Sequence, residues 1–173
     1  MKVKALVAVA IMGLAGMTTA QASDGTITFG GSINATSCAI TGGSSFTVTL
    51  PPVDTSALAS VGKVAAPTPF NIAMTGCPAS TAVHALFEIG ASVNAVTGNL
   101  KNSGLATLVE IQLLNSSLSA INIATQNNDG AGTGLTTSAA GAATLTYYAQ
   151  YIATGAATAG SVASTVTYSI VYN

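Results

Sequence analysis

The sequence predicts an all-β sandwich. Three observations carry that prediction: short stretches rich in Val, Ile, Thr, Tyr and Phe, Gly- and Ser-rich turns between them, and no long amphipathic helical pattern. Candidate strands are Thr26–Thr36, Phe46–Leu50, Phe70–Thr75, Val83–Ile89, Thr107–Leu114, Ala120–Thr125, Thr144–Ala153 and Val162–Tyr172. Turns are expected at Thr41-Gly42-Gly43, Asn94–Gly104 and Asn127–Gly134. No internal repeat is present.

Ahead of the first strand lies a secretory signal. Lys2 and Lys4 form a basic start, Ala5–Leu14 an apolar stretch, and Ala20-Gln21-Ala22 a small-x-small cleavage site, which places the mature start at Ser23. The apolar run is too short for a membrane span and no second long run follows, so the mature chain is expected to be exported without membrane insertion. The remainder, about 150 residues, suits one domain with a real core.

The first candidate strand alternates. Ile27, Phe29, Gly31, Ile33 and Ala35 share one face, with Thr26, Thr28, Gly30, Ser32 and Asn34 on the other. The last strand alternates too, setting Val166, Tyr168, Ile170 and Tyr172 against Thr165, Thr167 and Ser169. Both strands have one face that demands burial. Cys38 and Cys77, the two cysteines of the chain, read as one structural disulfide in an exported protein. Closing that loop stabilises the fold by roughly 3 to 4 kcal/mol on the chain-entropy model. A metal site would need further ligands, and the one histidine, His84, falls inside a strand pattern.

Composition excludes whole classes of function. Four Lys and no Arg are present, two of the Lys in the signal, so the mature chain keeps Lys63 and Lys101 alone; nucleic-acid binding draws on clustered basic residues and is not expected. Asp24, Asp54, Glu88, Glu110 and Asp129 are scattered, mostly beside turns or strand ends. No G-x-S-x-G accompanies His84, so neither paired-acid nor triad chemistry assembles, and no enzyme or cofactor is predicted. His84, Glu88 and Lys101 read as solvated strand or loop residues. Tyr147 and Tyr151 share a face opposite Tyr148, which favours packing over a sugar platform. Asn34-Ala35-Thr36 and Asn115-Ser116-Ser117 fit the glycosylation sequon, a pattern that chance produces often in a chain so rich in Asn, Ser and Thr.

Several fragments, in this order and spacing, resemble the chaperone-usher pilins of Gram-negative bacteria, the type 1 kind in particular. They are Asp24–Cys38, then Pro69-Phe70-Asn71-Ile72-Ala73-Met74-Thr75-Gly76-Cys77-Pro78, then Tyr148-Ala149-Gln150-Tyr151, Gly160, and Thr167–Asn173 with its penultimate tyrosine. The resemblance implies an incomplete immunoglobulin-like sandwich that lacks its last strand and is completed by donor-strand exchange. It divides the chain into a signal peptide (1–22), a donor-strand extension (23–37) and a pilin domain (38–173). Ile27, Phe29, Gly31, Ile33 and Ala35 are then donor residues, with Gly31 where a side chain would collide with a shallow part of the neighbour's groove. Gly160, Val166, Tyr168, Ile170 and Tyr172 fall in the C-terminal motif that borders the groove and is read by a chaperone. The implied partners are neighbouring subunits, a periplasmic chaperone and an outer-membrane usher; the implied destination is a fimbrium at the cell surface. A tip or adaptor subunit, or a monomeric sandwich whose own first strand fills its groove, are the alternatives.

Overall fold

The computed structural model describes residues 28–30, 38–125 and 135–172. Among the described residues, eight strands, all paired antiparallel, form two sheets. They are β1 (Ala39–Thr41), β2 (Val64–Thr75), β3 (Ala82–Phe87), β4 (Leu100–Lys101), β5 (Val109–Leu114), β6 (Leu135–Thr136), β7 (Ala143–Ala153) and β8 (Tyr168–Tyr172). The larger sheet runs β1-β2-β7-β5-β4 and the smaller β6-β3-β8. Of the two units into which the chain divides, Met1–Ile33 and Asn34–Asn173, the second holds the sandwich.

The long strands are those whose residues alternate in size and polarity. In β7, Ala143, Leu145, Tyr147 and Ala149 turn inward, while Thr144 and Thr146 face out. Their register partners in β2 include Ile72 and Met74, each 1% exposed, so the middle of the β2–β7 ladder is the main wall of the core. Val83, Ala85 and Phe87 of β3 close it from the opposite sheet. Tyr147 joins the two layers: its hydroxyl accepts the Ala85 N–H at 3.0 Å, and its ring meets Phe87 edge-on at 5.1 Å. The disulfide Cys38–Cys77 fastens the start of β1 to the segment after β2, and Cys77 N–H donates to Gly141 O at 3.0 Å.

Several expected elements differ. β2 begins at Val64 rather than Phe70, continuing through Pro67 and Pro69 with a bulge between Ala65 and Thr68, where Ala66 sits at φ 57°. Proline is tolerated there because this stretch of β2 pairs on one side alone, with β7, among the described residues. Ala120–Thr125 is not a strand. Ala120 makes one bridge to Leu114, and Ile123–Thr125 is a 3-10 turn whose Ile123 plugs the core. Thr107–Leu114 starts two residues late, at Val109, after Leu108 at φ 58°. β1, β4 and β6 were not expected; ladders of two or three residues carry no readable period. Of Thr26–Thr36, residues 28–30 are described and lie outside any strand; the rest falls outside the described residues, as do the signal segment and the expected turn Asn127–Gly134.

Candidate polymerisation groove

Two segments expected as strands belong to no strand ladder among the described residues, although Ala163 O accepts the Ser103 N–H and Thr167 O the Glu88 N–H. Phe46–Leu50 is outside any ladder, and Val162–Thr167 runs into β8 without a partner strand, so β8 itself is five residues long. Both keep an alternating pattern of exposure. Val48 and Leu50 are half-buried between exposed threonines, and Val162, Ser164, Val166, Tyr168 and Ile170 are half-buried between exposed neighbours. β3, the neighbour of β8, is buried almost throughout. Apolar side chains that stop half-way to burial, along two segments without a ladder, outline a candidate groove between them.

The groove has two walls and an aromatic floor. Phe46, on one wall, meets Phe70 at 6.0 Å between ring centres and Tyr168, on the other wall, at 6.4 Å. Phe70 stacks on Tyr147 at 5.9 Å, linking groove to core. Two tyrosine hydroxyls cross the gap: Tyr168 Oη donates to Ser44 O at 3.0 Å, and Tyr172 Oη accepts the Cys38 N–H at 2.9 Å. Burial pushes the Tyr168 hydroxyl above its usual pKa, so it stays a donor through the neutral range. Ile40, Leu50, Phe70, Val166, Tyr168 and Ile170 all pack on the edge of the main core.

At its far end the groove opens into a cleft of about 400 Å³, lined by Leu50, Pro52, Leu58, Tyr151, Gly160 and Val162 among others. A smaller core of Leu58, Ala106, Val109 and Ala153 lies under it. Gly160 is set by close packing: a Cβ there would lie 2.4 Å from the Ala106 nitrogen, so no side chain fits against the 105–106 backbone.

Of the predicted groove residues, Val166, just before β8, and Tyr168 and Ile170 within it are all half-buried and pack on the edge of the main core. Tyr172, 38% exposed, closes one end of that strand, and Gly160 flanks the other end. Of the donor residues, Phe29 is described and is 89% exposed; Ile27, Gly31, Ile33 and Ala35 lie outside the described residues. Ile40, Phe46, Leu50 and Phe70 were not assigned to the groove from sequence. The alternation Phe46-Val48-Leu50 was visible, but nothing in it says that the partner strand is missing.

The expected polar residues fall into structural roles, one of them different from expectation. His84 is buried, 7% exposed, rather than solvated. Glu110 is buried near the start of β5, where Asn94 Nδ2 (2.5 Å), Thr97 Oγ1 (2.8 Å) and Asn99 Nδ2 (3.1 Å) donate to its carboxylate and hold the 94–99 loop. Glu88 accepts from Thr167 Oγ1 at 3.0 Å and from Ser169 Oγ, and these hydrogen bonds hold its carboxyl below the usual pKa. Lys101 Nζ donates to Ala91 O. Asn115 is buried, with its side-chain oxygen taken by the N–H groups of Ser117 and Ser119, so this sequon is a turn anchor.

A sandwich with one strand missing from its edge has counterparts among known proteins. Residues 50–173 match the family model of type-1 fimbrial protein, A (FimA). The chain belongs to the type-1 fimbrial protein family. It is 43% identical over 167 residues to the major fimbrial subunit SMF-1 of Stenotrophomonas maltophilia, covering 89% of this chain and 95% of that one. It is 44% identical over 173 residues to the F17 fimbrial protein of Escherichia coli, covering 94% of each. Among solved structures, a chaperone-usher pilus structure superposes with a TM-score of 0.61 at 21% identity, covering 87% of this chain and 96% of that one. The P pilus rod subunit PapA superposes at 0.58 and 17%, covering 79% and 99%. The fold is the immunoglobulin-like pilin sandwich, and this type-1 fimbrial protein is a structural subunit of an extracellular fimbrium that polymerises with other pilin subunits. Among the described residues no helix is long and apolar enough to cross a membrane.

Proposed function

We propose that this subunit polymerises by donor-strand exchange: residues 23–37 of one copy enter the groove between Phe46–Leu50 and β8 of the next. The observation that carries the reading is the half-buried apolar face of Val166, Tyr168 and Ile170 on a strand edge that is unpaired among the described residues. An inserted strand satisfies both needs at once, backbone groups by its ladder and apolar groups by its inward face. Ile27, Phe29 and Ile33 each contribute roughly 1.5 to 3 kcal/mol on full burial by transfer values. Gly31 passes over the shallow part of the groove.

Until that exchange the open edge is an aggregation hazard, which calls for a periplasmic chaperone that lends a strand of its own and for an outer-membrane usher where the exchange takes place. The signal of residues 1–22 delivers the chain to that compartment, where the Cys38–Cys77 bond forms. Deleting Ser23–Thr36 tests the reading. The truncated subunit is expected to co-purify with its chaperone but to add no further subunit as a donor; polymers of normal length from the truncated chain would refute strand donation.

A further inference from the structure

The free edge of β8 continues upstream, and a side chain rather than a ladder holds that upstream part in line. Along residues 161–167 the backbone bonds fall on alternate residues: Ser161 O accepts the Ala106 N–H at 3.0 Å, Ala163 O the Ser103 N–H at 2.8 Å and Thr167 O the Glu88 N–H at 2.9 Å. Successive residues of an extended segment aim their N–H and C=O groups to opposite sides. Those of Val162, Ser164 and Val166 therefore point away from these partners, and none of them is hydrogen-bonded among the described residues. Ser164 Oγ is likewise buried without a partner. The side chains of the same three residues are half-buried, in step with Tyr168 and Ile170.

Asn102 ties this stretch down. Its Oδ1 accepts the N–H groups of Gly104 and Ala163, each at 2.8 Å, and its Nδ2 donates to Ala106 O at 2.7 Å. One half-buried amide thus folds the 102–106 loop and clips residue 163 to it. Two glycines let the backbones come close enough: a Cβ on Gly104 would lie 2.2 Å from Ser161 O, and one on Gly160 2.4 Å from the Ala106 nitrogen.

We propose that Asn102 is a positioning residue for strand acceptance, holding Val162, Ser164 and Val166 in line with β8 before a donor arrives. The proposal rests on donor-strand exchange as read above. The donor face from Ile27 to Ala35 matches in length the alternating row Val162, Ser164, Val166, Tyr168 and Ile170, whereas β8 alone supplies Tyr168, Ile170 and Tyr172. Without the clip, residues 160–166 would have to be ordered by the incoming strand itself, and that loss of backbone freedom would slow its entry.

Uptake of a synthetic peptide of residues 23–37 by the mature subunit, presented in its chaperone complex, tests this. The wild-type subunit is expected to exchange its chaperone for the peptide, and Asn102→Ala to do so more slowly by roughly tenfold, as expected when several residues lose their preorganisation. Asn115→Ala removes another turn-anchoring amide, away from this edge, and is expected to lower the melting temperature while leaving the uptake rate unchanged. Hydrogen exchange on the Asn102→Ala subunit is expected to quicken at Gly104 and Ala163 and to stay unchanged in β2 and β7. An Asn102→Ala uptake rate equal to wild type, an equal slowing in Asn115→Ala, or faster exchange throughout β7 overturns the positioning role and leaves strand exchange standing. No uptake by the wild-type subunit overturns strand exchange and the positioning role with it.

Discussion

The two long edges of the sandwich are built in opposite ways. The outer edge of β2 from Val64 to Phe70 is interrupted by a bulge at Ala66, and Pro67 and Pro69 remove backbone donors from it. The free edge of β8, Tyr168-Ser169-Ile170-Val171-Tyr172, has no proline, no bulge and no charge. The remaining edge strands, β1, β4 and β6, are stubs of two or three residues. Strand addition needs a continuous row of N–H and C=O groups, and β8 offers the longest such row in the described fold. A polymer that grows in one direction needs both halves of this arrangement, one receptive edge and the others blunted.

The sharpest way to break that contrast is to spoil the receptive edge. Ile170→Lys places a charge on the half-buried face of β8, and it is expected to abolish acceptance of a donor strand, read as loss of the polymer ladder in unboiled gels. Next in size, Cys38→Ser with Cys77→Ser is expected to cost roughly 3 to 4 kcal/mol of domain stability, measured by urea unfolding of the chaperone-released subunit. Blunting can be tested by its removal. Pro67→Thr with Pro69→Thr restores donors to β2 and is expected to raise the share of disordered aggregate over regular fimbriae, scored by electron microscopy.

Smaller effects sharpen the comparison. Tyr168→Phe removes the hydroxyl that spans the groove to Ser44, and about 0.5 to 1.5 kcal/mol of stability is expected to go with it, while the ring contact to Phe46 stays. Glu88 supplies the smallest effect. Its carboxyl is held below the ordinary value by Ser169 and Thr167, so its contribution is present above the unfolded-state pKa near ~4.3 and is lost as pH falls through the lower folded value. Glu88→Gln is expected to flatten the acid side of the stability profile below about pH 4 and to change little at pH 7, followed by thermal melts across pH.

This contrast also explains what was legible in the sequence. Periodicity located β7 to within a residue and set Val166, Tyr168 and Ile170 on one face, because alternation reports which side chains need burial. It does not report whether a ladder partner exists. Phe46–Leu50 and Val162–Thr167 therefore looked like paired strands, and their lack of a partner among the described residues is what outlines the groove. β2 was cut short at Phe70, since prolines suit a strand where one edge is free, a tertiary fact. His84 was expected in solvent and is buried, and the burial of Glu110 was not read at all, since local composition cannot foresee three neutral donors converging on a carboxylate. The cysteine pair was legible because the export signal fixes the compartment, and the compartment fixes the chemistry.

The disulfide has a mechanical consequence. Under the strand exchange proposed above, a fimbria pulled end to end would load each subunit at Cys38, where residues 23–37 join the body, and at β8, beside the incoming strand. β1, with three residue pairs to β2, would unzip under such a pull one pair at a time. The Cys38–Cys77 bond sits upstream of β1 and passes the tension straight to the end of β2, the strand with the longest ladder in the sandwich. Tension would therefore be spread in shear across the β2–β7 ladder, where the bonds must yield together, and the short β1 ladder would be kept out of the line of force.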